Sequence, residues 1–275
     1  VTLDPRAAAD PITPEALRAG FTPGRLGREI YFFDRLESTN KTLKQAAARG
    51  AAEGTVVVAE EQTAGRGRLN RAWESPPGVG IYLSLLLRPR PPAARQFLYT
   101  FLPAVATARA LRSVSGLPVF IQWPNDVMLR GGKLAGILTE ARVVEGQIRE
   151  IVVGVGMNIN HTPADLPASL RETATSLAIA AGRTFSRAAA VRAFLAEMDR
   201  GYAALGAGEA TAVVDLWKRL CPSHYGKPVV VLGGSAGEIR GWTRGIDDEG
   251  ALLVERQDGG LERIAFGEVR RVRAG

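Results

Sequence analysis

Gly65-Arg66-Gly67-Arg68-Leu69-Asn70-Arg71-Ala72-Trp73, preceded by Glu61-Gln62-Thr63, separates two of the most strand-like runs in the chain. On one side Thr55–Glu60 is β-branched and apolar; on the other Ile81–Leu87 is nearly all aliphatic. Both read as buried strands. Between them, Gln62–Gly80 carries four glycines, two prolines and three arginines and fits neither a helical nor a strand period. A stretch that long without regular structure inside a compact domain is usually functional or disordered. Glycines let the backbone approach a ligand closely, and interleaved guanidinium groups supply planar donors for phosphate or carboxylate oxygens. No Gly-Lys-Ser/Thr follows, so this is not a Walker loop. A solvated basic loop explains an isolated Gly-Arg repeat as well, and an RNA-binding Arg-Gly tract fits one copy between strands poorly.

Outward from this loop the pattern alternates. Upstream, Glu29–Leu36 reads as a strand, Ser38 as a helix N-cap, and Thr39–Arg49 as a short helix closed by Gly50. Residues 1–27, rich in Ala and Pro, read as a loosely packed lead-in, with a short helix following Pro14. Downstream, Leu98, Phe101 and Val105 share one face of a helix that Pro103 kinks or restarts. Val119–Gln122 is a short strand ending in the turn Trp123-Pro124-Asn125-Asp126, and Leu134–Ala141 and Gln147–Val155 are strands joined at Glu145-Gly146. Helical spacing dominates Ser176–Leu220, with Val191, Phe194, Leu195, Met198, Tyr202 and Leu205 as a core stripe. After Cys221-Pro222 every segment is short and strand-like: Pro228–Leu232, Glu238–Ile246, Ala251–Arg256 and Leu261–Phe266. About 50 residues of this kind is the size of a small barrel, which places a boundary near 222.

Composition narrows the class. In 275 residues, 46% hydrophobic and 23% charged, no apolar run approaches the roughly 18 residues of a membrane span, and Val1–Gly24 lacks a signal-peptide layout. A soluble, cytoplasmic chain is expected. The single cysteine, Cys221, excludes an intramolecular disulfide framework and a Cys-rich metal cage. The net charge of +7 admits nucleic acid, an acidic protein or a polyanionic small substrate, yet finger spacing, basic zipper and RNA-binding aromatic signatures are absent. Gly233-Gly234-Ser235-Ala236-Gly237 matches a hydrolase elbow, but a strand follows it and both histidines, His161 and His224, precede it. Cys221 and His224 have ligand-like spacing without a second pair, and Arg270–Arg273 reads as a solvated tail.

Two further stretches carry chemistry. Trp123-Pro124-Asn125-Asp126 would set two polar side chains at a strand's end, although a plain turn explains it as cheaply. Lys133-Leu134-Ala135-Gly136-Ile137-Leu138-Thr139-Glu140 puts one ammonium at the mouth of an apolar strand, where it could face an anion. Taken with Ser38-Thr39-Asn40 and Gly154-Val155-Gly156-Met157-Asn158-Ile159-Asn160, in this order and at these spacings, the chain resembles the biotin protein ligase family (biotin–[acetyl-CoA-carboxylase] ligase). The resemblance runs from about Glu29 through Arg244–Val254.

That resemblance implies an ATP-dependent reaction in two steps: formation of biotinyl-5′-AMP, then transfer of biotin to a lysine of a biotin carboxyl carrier domain. Residue by residue it implies that Ser38, Thr39 and Gln62 bind the ureido head of biotin. Gly65, Arg66 and Gly136 then line the acyl side, and Lys133 bridges carboxylate and α-phosphate. Arg68 would retain the adenylate, Trp73 cover the adenine, Asn125 and Asp126 lie by the phosphates, and Asn158 reach the nucleotide. Asp126 is the candidate Mg²⁺ contact, through water. Two departures stand out: Asn70 where a third loop glycine is usual, expected to take a left-handed φ, and Gln122 where a lysine commonly precedes Trp-Pro-Asn-Asp. The implied fold is α/β (α+β), a mixed, largely antiparallel sheet with packed helices over residues 28–221, plus an SH3-like β-barrel over 222–275. Fewer than 30 residues precede the first ligase strand, so no DNA-binding repressor domain and no specific DNA binding are expected. The partner would be a carboxylase carrier domain, with homodimerisation open. A lipoate or octanoate ligase or transferase is the alternative enzyme, and a basic nucleic-acid-binding protein the alternative from another class.

Overall fold

The computed structural model of the chain describes residues 12–89, 91, 93–232, 238–265 and 267–271. The Gly233–Gly237 stretch and residues 272–273 of the C-terminal arginine run lie outside them. Seven strands form one sheet: β1 Ile30–Leu36, β2 Val56–Gln62, β3 Gly80–Leu87, β4 Phe120–Gln122, β5 Asp126–Leu129, β6 Gly132–Val144 and β7 Gln147–Asn158. Their order is β1-β2-β3-β7-β6-β5-β4, parallel between β1 and β2 and antiparallel elsewhere. This is the mixed, largely antiparallel sheet expected from the sequence.

Strand periodicity decides what each face does. On β7, Ile151, Val153, Val155 and Met157 enter the main core, whereas Val152, Gly154, Gly156 and Asn158 alternate to the other face. The core face is covered by α3 (Leu98–Ser115) and α5 (Arg187–Gly206), and α6 (Ala210–Leu220) closes it with Trp217 stacked on Phe101 at 4.1 Å. Val191, Phe194, Leu195, Met198 and Tyr202 are buried, as the stripe predicted. The opposite face is only partly covered, by α2 (Thr39–Ala48), whose Leu43 and Ala47 pack on Val57, Leu86 and Val152. Beyond the end of α2 that face is left to polar and glycine positions.

Several local expectations need correcting. The helix over Leu98–Ser115 is continuous through Pro103. Proline cannot donate to the Tyr99 carbonyl one turn back, and the Thr139 hydroxyl of β6 takes that acceptor at 3.3 Å instead. The described part of the lead-in is not loose. Helix α1 (Pro14–Arg18) is capped by Thr13, and Ile12, Leu17 and Leu26 are all buried in the main core. Ser38 stands at the N-cap of α2 with extended φ/ψ but makes no side-chain capping bond.

The short helix α4 (Leu177–Ala181) and helices α5 and α6 lead to a second, five-stranded antiparallel sheet. Its strands are β8 Tyr225–Leu232, β9 Glu238–Ile246, β10 Leu252–Glu255, β11 Leu261–Ile264 and β12 Glu268–Arg271, in the order β11-β10-β9-β8-β12. Residues 270 and 271 are therefore strand, not solvated tail: β12 pairs with β8 and buries Val269. The second sheet grips the first through main-chain acceptors. Gln122 Nε2 donates to the Val269 carbonyl at 2.8 Å and Trp123 Nε1 to the Gly250 carbonyl at 3.0 Å. Gln122 is thus spent on this contact and buried, rather than standing as a neutral substitute beside an anion. Cys221 and His224 are structural: the thiol is buried, with desolvation pushing it up to about 11, and His224 Nδ1 lies 2.6 Å from the Cys221 carbonyl.

Candidate functional site

The site lies on the partly covered sheet face, where β6 and β7 run side by side. Gly136 and Gly156 are register partners there, with Gly154 two residues along on the same face. With no side chains at these positions, the two strands present a smooth floor. Asn40 Oδ1 and the indole of Trp73 come down onto it: a Cβ on Gly154 would lie 2.1 Å from Asn40 Oδ1, and one on Gly156 would lie 2.3 Å from Trp73 Nε1. Trp73 also covers Gly136, whose added Cβ would meet the ring at 2.9 Å.

At one end of the floor sits a buried polar chain from α2, β2 and β3. Thr39 donates to Gln62 Oε1 from its backbone N–H at 2.9 Å and from its hydroxyl at 3.1 Å, and Gln62 Nε2 donates to Ser75 Oγ at 2.9 Å. Ser84 Oγ lies 2.8 Å from Thr39 Oγ1 and 2.5 Å from Asn40 Oδ1. Asn40 Nδ2 donates to Glu140 at 2.7 Å, and Lys44 pairs with the same carboxylate at 2.6 Å. Burial pushes the Glu140 carboxyl up, but the Lys44 ammonium and the Asn40 amide outweigh it, holding it below the ordinary carboxylate range. The stabilisation from that shift is complete at neutral pH and is lost on acidification through the lowered value. Buried polar networks satisfied in this way fix one geometry.

At the other end two cations converge on one turn. Tight hairpin formation at Trp123–Asp126 starts β5, a strand the sequence pattern did not reveal because only four residues separate its turn from the next. Asn125 is buried; its Nδ2 donates to the Ile137 carbonyl and its Oδ1 accepts from Arg68 Nη1 at 3.0 Å. Lys133 Nζ pairs with Asp126 at 2.7 Å and stands 5.7 Å from the centroid of the Trp73 ring. Strict alternation would send Lys133 to the core face with Ala135 and Ile137. A β-bulge opposite Val127 and Met128 absorbs Leu134 into the core and turns Lys133 to the site face.

The arginine loop that reaches over this turn is ordered. Thr63 and Ala64 N–H groups bond the Leu36 and Glu37 carbonyls, Arg66 and Ala72 bridge, and Trp73 N–H bonds the Gly65 carbonyl at 2.9 Å. Gly65 is obligatory here, since a Cβ would fall 2.4 Å from the Trp73 carbonyl. The left-handed residue in the loop is Leu69, with φ +55°, and not Asn70. The turn that a glycine would ease falls one residue earlier than the motif suggests, at a steric cost of about 1–2 kcal/mol.

Of the residues proposed from sequence, the fold brings together Thr39 with Gln62, Arg68 with Asn125, Lys133 with Asp126, and Trp73 with Lys133 and Gly136. Ser38 is buried beside Thr39. Arg66 is exposed, its charge felt at the Glu37 and Glu140 carboxylates. Asn158 spends its amide on the carbonyls of Thr175, at 3.0 Å, and Lys133, at 3.5 Å, so it braces the start of the Lys133 strand. Asn40 and Ser84 escaped the sequence reading of the site. Ser84 had a signal: one hydroxyl amid the aliphatic run of β3, fully buried. A cavity of about 400 Å³ opens on Gln62 and Ser75; another of about 520 Å³, bounded by Gly78, Asn160 and Phe185, shares none of these side chains.

Known proteins resemble this chain in sequence and in fold. Residues 32–158 match the profile of the biotin/lipoate A/B protein ligase family, and 224–271 match that of the biotin protein ligase C-terminal domain. The bifunctional ligase/repressor BirA of Bacillus subtilis is 36% identical over 249 residues, 90% of this chain and 76% of that protein. The biotin–[acetyl-CoA-carboxylase] ligase of Paracoccus denitrificans is 33% identical, with 86% of this chain and 97% of that protein aligned. Among solved structures, the biotin protein ligase from Aquifex aeolicus in complex with biotin and ATP superposes with a TM-score of 0.76 at 25% identity, covering 90% of this chain and 100% of that one. The chain belongs to the biotin protein ligase family.

Proposed function

We propose that the chain activates biotin with ATP and transfers it to a lysine of a biotin carboxyl carrier domain of acetyl-CoA carboxylase or a related carboxylase. In the first step a carboxylate oxygen of biotin attacks the α-phosphorus of ATP, the bond to the β-phosphate breaks, and pyrophosphate leaves. In the second the carrier's lysine nitrogen attacks the acyl carbon, loses a proton, and AMP departs with the bonding electrons. One observation carries the reading: Arg68 and Lys133 converge on the adjacent residues Asn125 and Asp126, beside a glycine floor that ends in the Thr39–Gln62 polar pair.

Each part has a task in this scheme. Bringing a carboxylate to a triphosphate sets anion against anion, and Lys133, with Arg66 and Arg68, offsets charge as it moves to the leaving pyrophosphate. Thr39, Gln62 and Ser38 present donors and acceptors to the ureido head, Gly65 and Gly136 line the acyl side, and Trp73 shields the nucleotide. Asn158 acts on the nucleotide indirectly, by holding Lys133 in place. The chemistry asks for positioning rather than for a covalent nucleophile. For the divalent ion that accompanies ATP, Asp126 is the carboxylate that pairs with Lys133, and the described residues contain no group of three or more metal-type ligands. That donor set fits Mg²⁺ arriving on the phosphates with its own waters, touched by Asp126, and not a resident metal. The ion would neutralise phosphate charge. We place the working boundary between a catalytic unit and a C-terminal unit at about residues 221–222, after the α6 helix. Among the described residues no helix is long and apolar enough to cross a membrane.

The deciding assay supplies labelled biotin, Mg-ATP and a carrier domain, with lipoate as competitor. Biotinylated carrier and release of pyrophosphate are expected; lipoyl transfer in preference, or no ATP turnover, overturns the proposal. Gly154→Ala gives a narrower check. Its methyl would press on Asn40, which Ser84 and Glu140 hold in place. We expect a stability loss of about 1–3 kcal/mol together with weaker biotin binding. Thermal unfolding with and without biotin measures both.

A further inference from the structure

We infer that the Trp73 indole N–H is a hydrogen-bond donor to an anionic oxygen at the junction of the acyl group and the α-phosphate. The inference rests on the adenylation reading above and goes beyond a flat cover for adenine. Three observations converge on it. Trp73 Nε1 is buried and has no hydrogen-bond partner among the described residues. It lies directly over Gly156, where the floor has no side chain to answer it. And the ammonium of Lys133, a donor that cannot accept, flanks the same ring at 5.7 Å.

A residue needed only as an apolar lid gains nothing from an indole nitrogen. Tryptophan buried in proteins normally finds an acceptor for that N–H, because leaving it unpaired forfeits the bond it makes in water. Here the strand carbonyls beneath it are engaged in the β6–β7 and β3–β7 ladders. Nε1 therefore stands as a buried, unanswered N–H seated on the bare Gly156 backbone, with an ammonium beside its ring. That combination selects an oxygen carrying negative charge. Two states of the ligand offer one: the carboxylate of free biotin, and the acyl-phosphate of the intermediate.

The test uses the full chain with ¹⁵N-labelled tryptophan. The sequence has four tryptophans, and Trp73→Phe identifies the Trp73 indole signal by its disappearance. The probe is the non-hydrolysable acyl-sulfamate analogue of biotinyl-AMP, with biotin alone as a second arm. In the saturated analogue complex the Trp73 indole proton should move downfield, and Trp73→Phe, which keeps an aromatic lid but lacks the donor, should bind the analogue about tenfold or more weakly. A downfield shift already present with biotin assigns the acceptor to the carboxylate; a shift only with the analogue assigns it to the phosphate position. An indole proton that stays put or moves upfield, or a Trp73→Phe variant that binds the analogue as tightly as wild type, overturns the inference while leaving the adenylation reading standing. Failure of the wild-type chain to bind the analogue at all would instead remove that reading and this inference with it.

Discussion

Lys133→Ala should slow biotinyl-AMP formation by about a hundred- to a thousandfold, the usual cost of deleting one preorganised charge at the reacting centre. The side chain is partly exposed and pairs with the partly exposed Asp126, so the substitution leaves no fully buried charge stranded and the fold should persist. The backbone role of the residue survives in alanine: its N–H and carbonyl bond Thr173 and Thr175 whatever the side chain. Single-turnover measurement of pyrophosphate release, alongside an unchanged thermal transition, checks the prediction. Wild-type rates would refute the assignment of Lys133. Loss of folding would instead implicate the bulge that positions it.

Arg68→Gly should release the intermediate. In the present geometry the Arg68 guanidinium reaches from the loop to Asn125 and so draws the loop over the end of the floor. Removing a charge-assisted hydrogen bond raises the escape rate by about ten- to a hundredfold, and glycine adds chain entropy to the open loop. Adenylate formation continues, because Lys133 is untouched, but the mixed anhydride reaches solvent and acylates lysines on unrelated proteins. Mass spectrometry of a bystander protein mixed with the variant, biotin and ATP would record this. Labelling no greater than with wild type would remove Arg68 from the retaining role.

Much of this is legible in the amino-acid sequence. The β2 and β3 strands, the α2 helix and the α5 stripe follow from period and composition alone, because each buries one continuous face. The Gly154–Asn158 run reads in the sequence only as a motif, with the strand expected to stop at Val155; β7 in fact continues to Asn158, and its alternation of Gly, Val, Gly, Met and Asn gives one bare face and one packed face. Harder features depend on contacts distant in sequence. β5 is too short to show a period, and β12 resembles a charged tail until β8 pairs with it. The turn of Lys133 onto the site face depends on a bulge, which inserts a residue without any compositional mark. The left-handed conformation at Leu69 was likewise hidden, since a branched side chain there goes against local preference and is held by the Arg66–Ala72 and Gly67–Arg71 bonds around it. Asn40 was missed because it looks like an ordinary helix residue until Ser84 and Glu140 are in view, whereas the lone hydroxyl of Ser84 in an aliphatic run was a signal left unread.

The junction between the two sheets has a practical consequence for mutational mapping. Its acceptors are the carbonyl oxygens of Gly250 and Val269, and every residue type carries a carbonyl. Single-residue scanning of the C-terminal sheet cannot delete them, so their importance would go unscored position by position. Excision of the segment would remove both at once and set the Trp123–Asp126 turn adrift, whereas a one-residue slip in how β12 aligns would take away the Val269 acceptor alone.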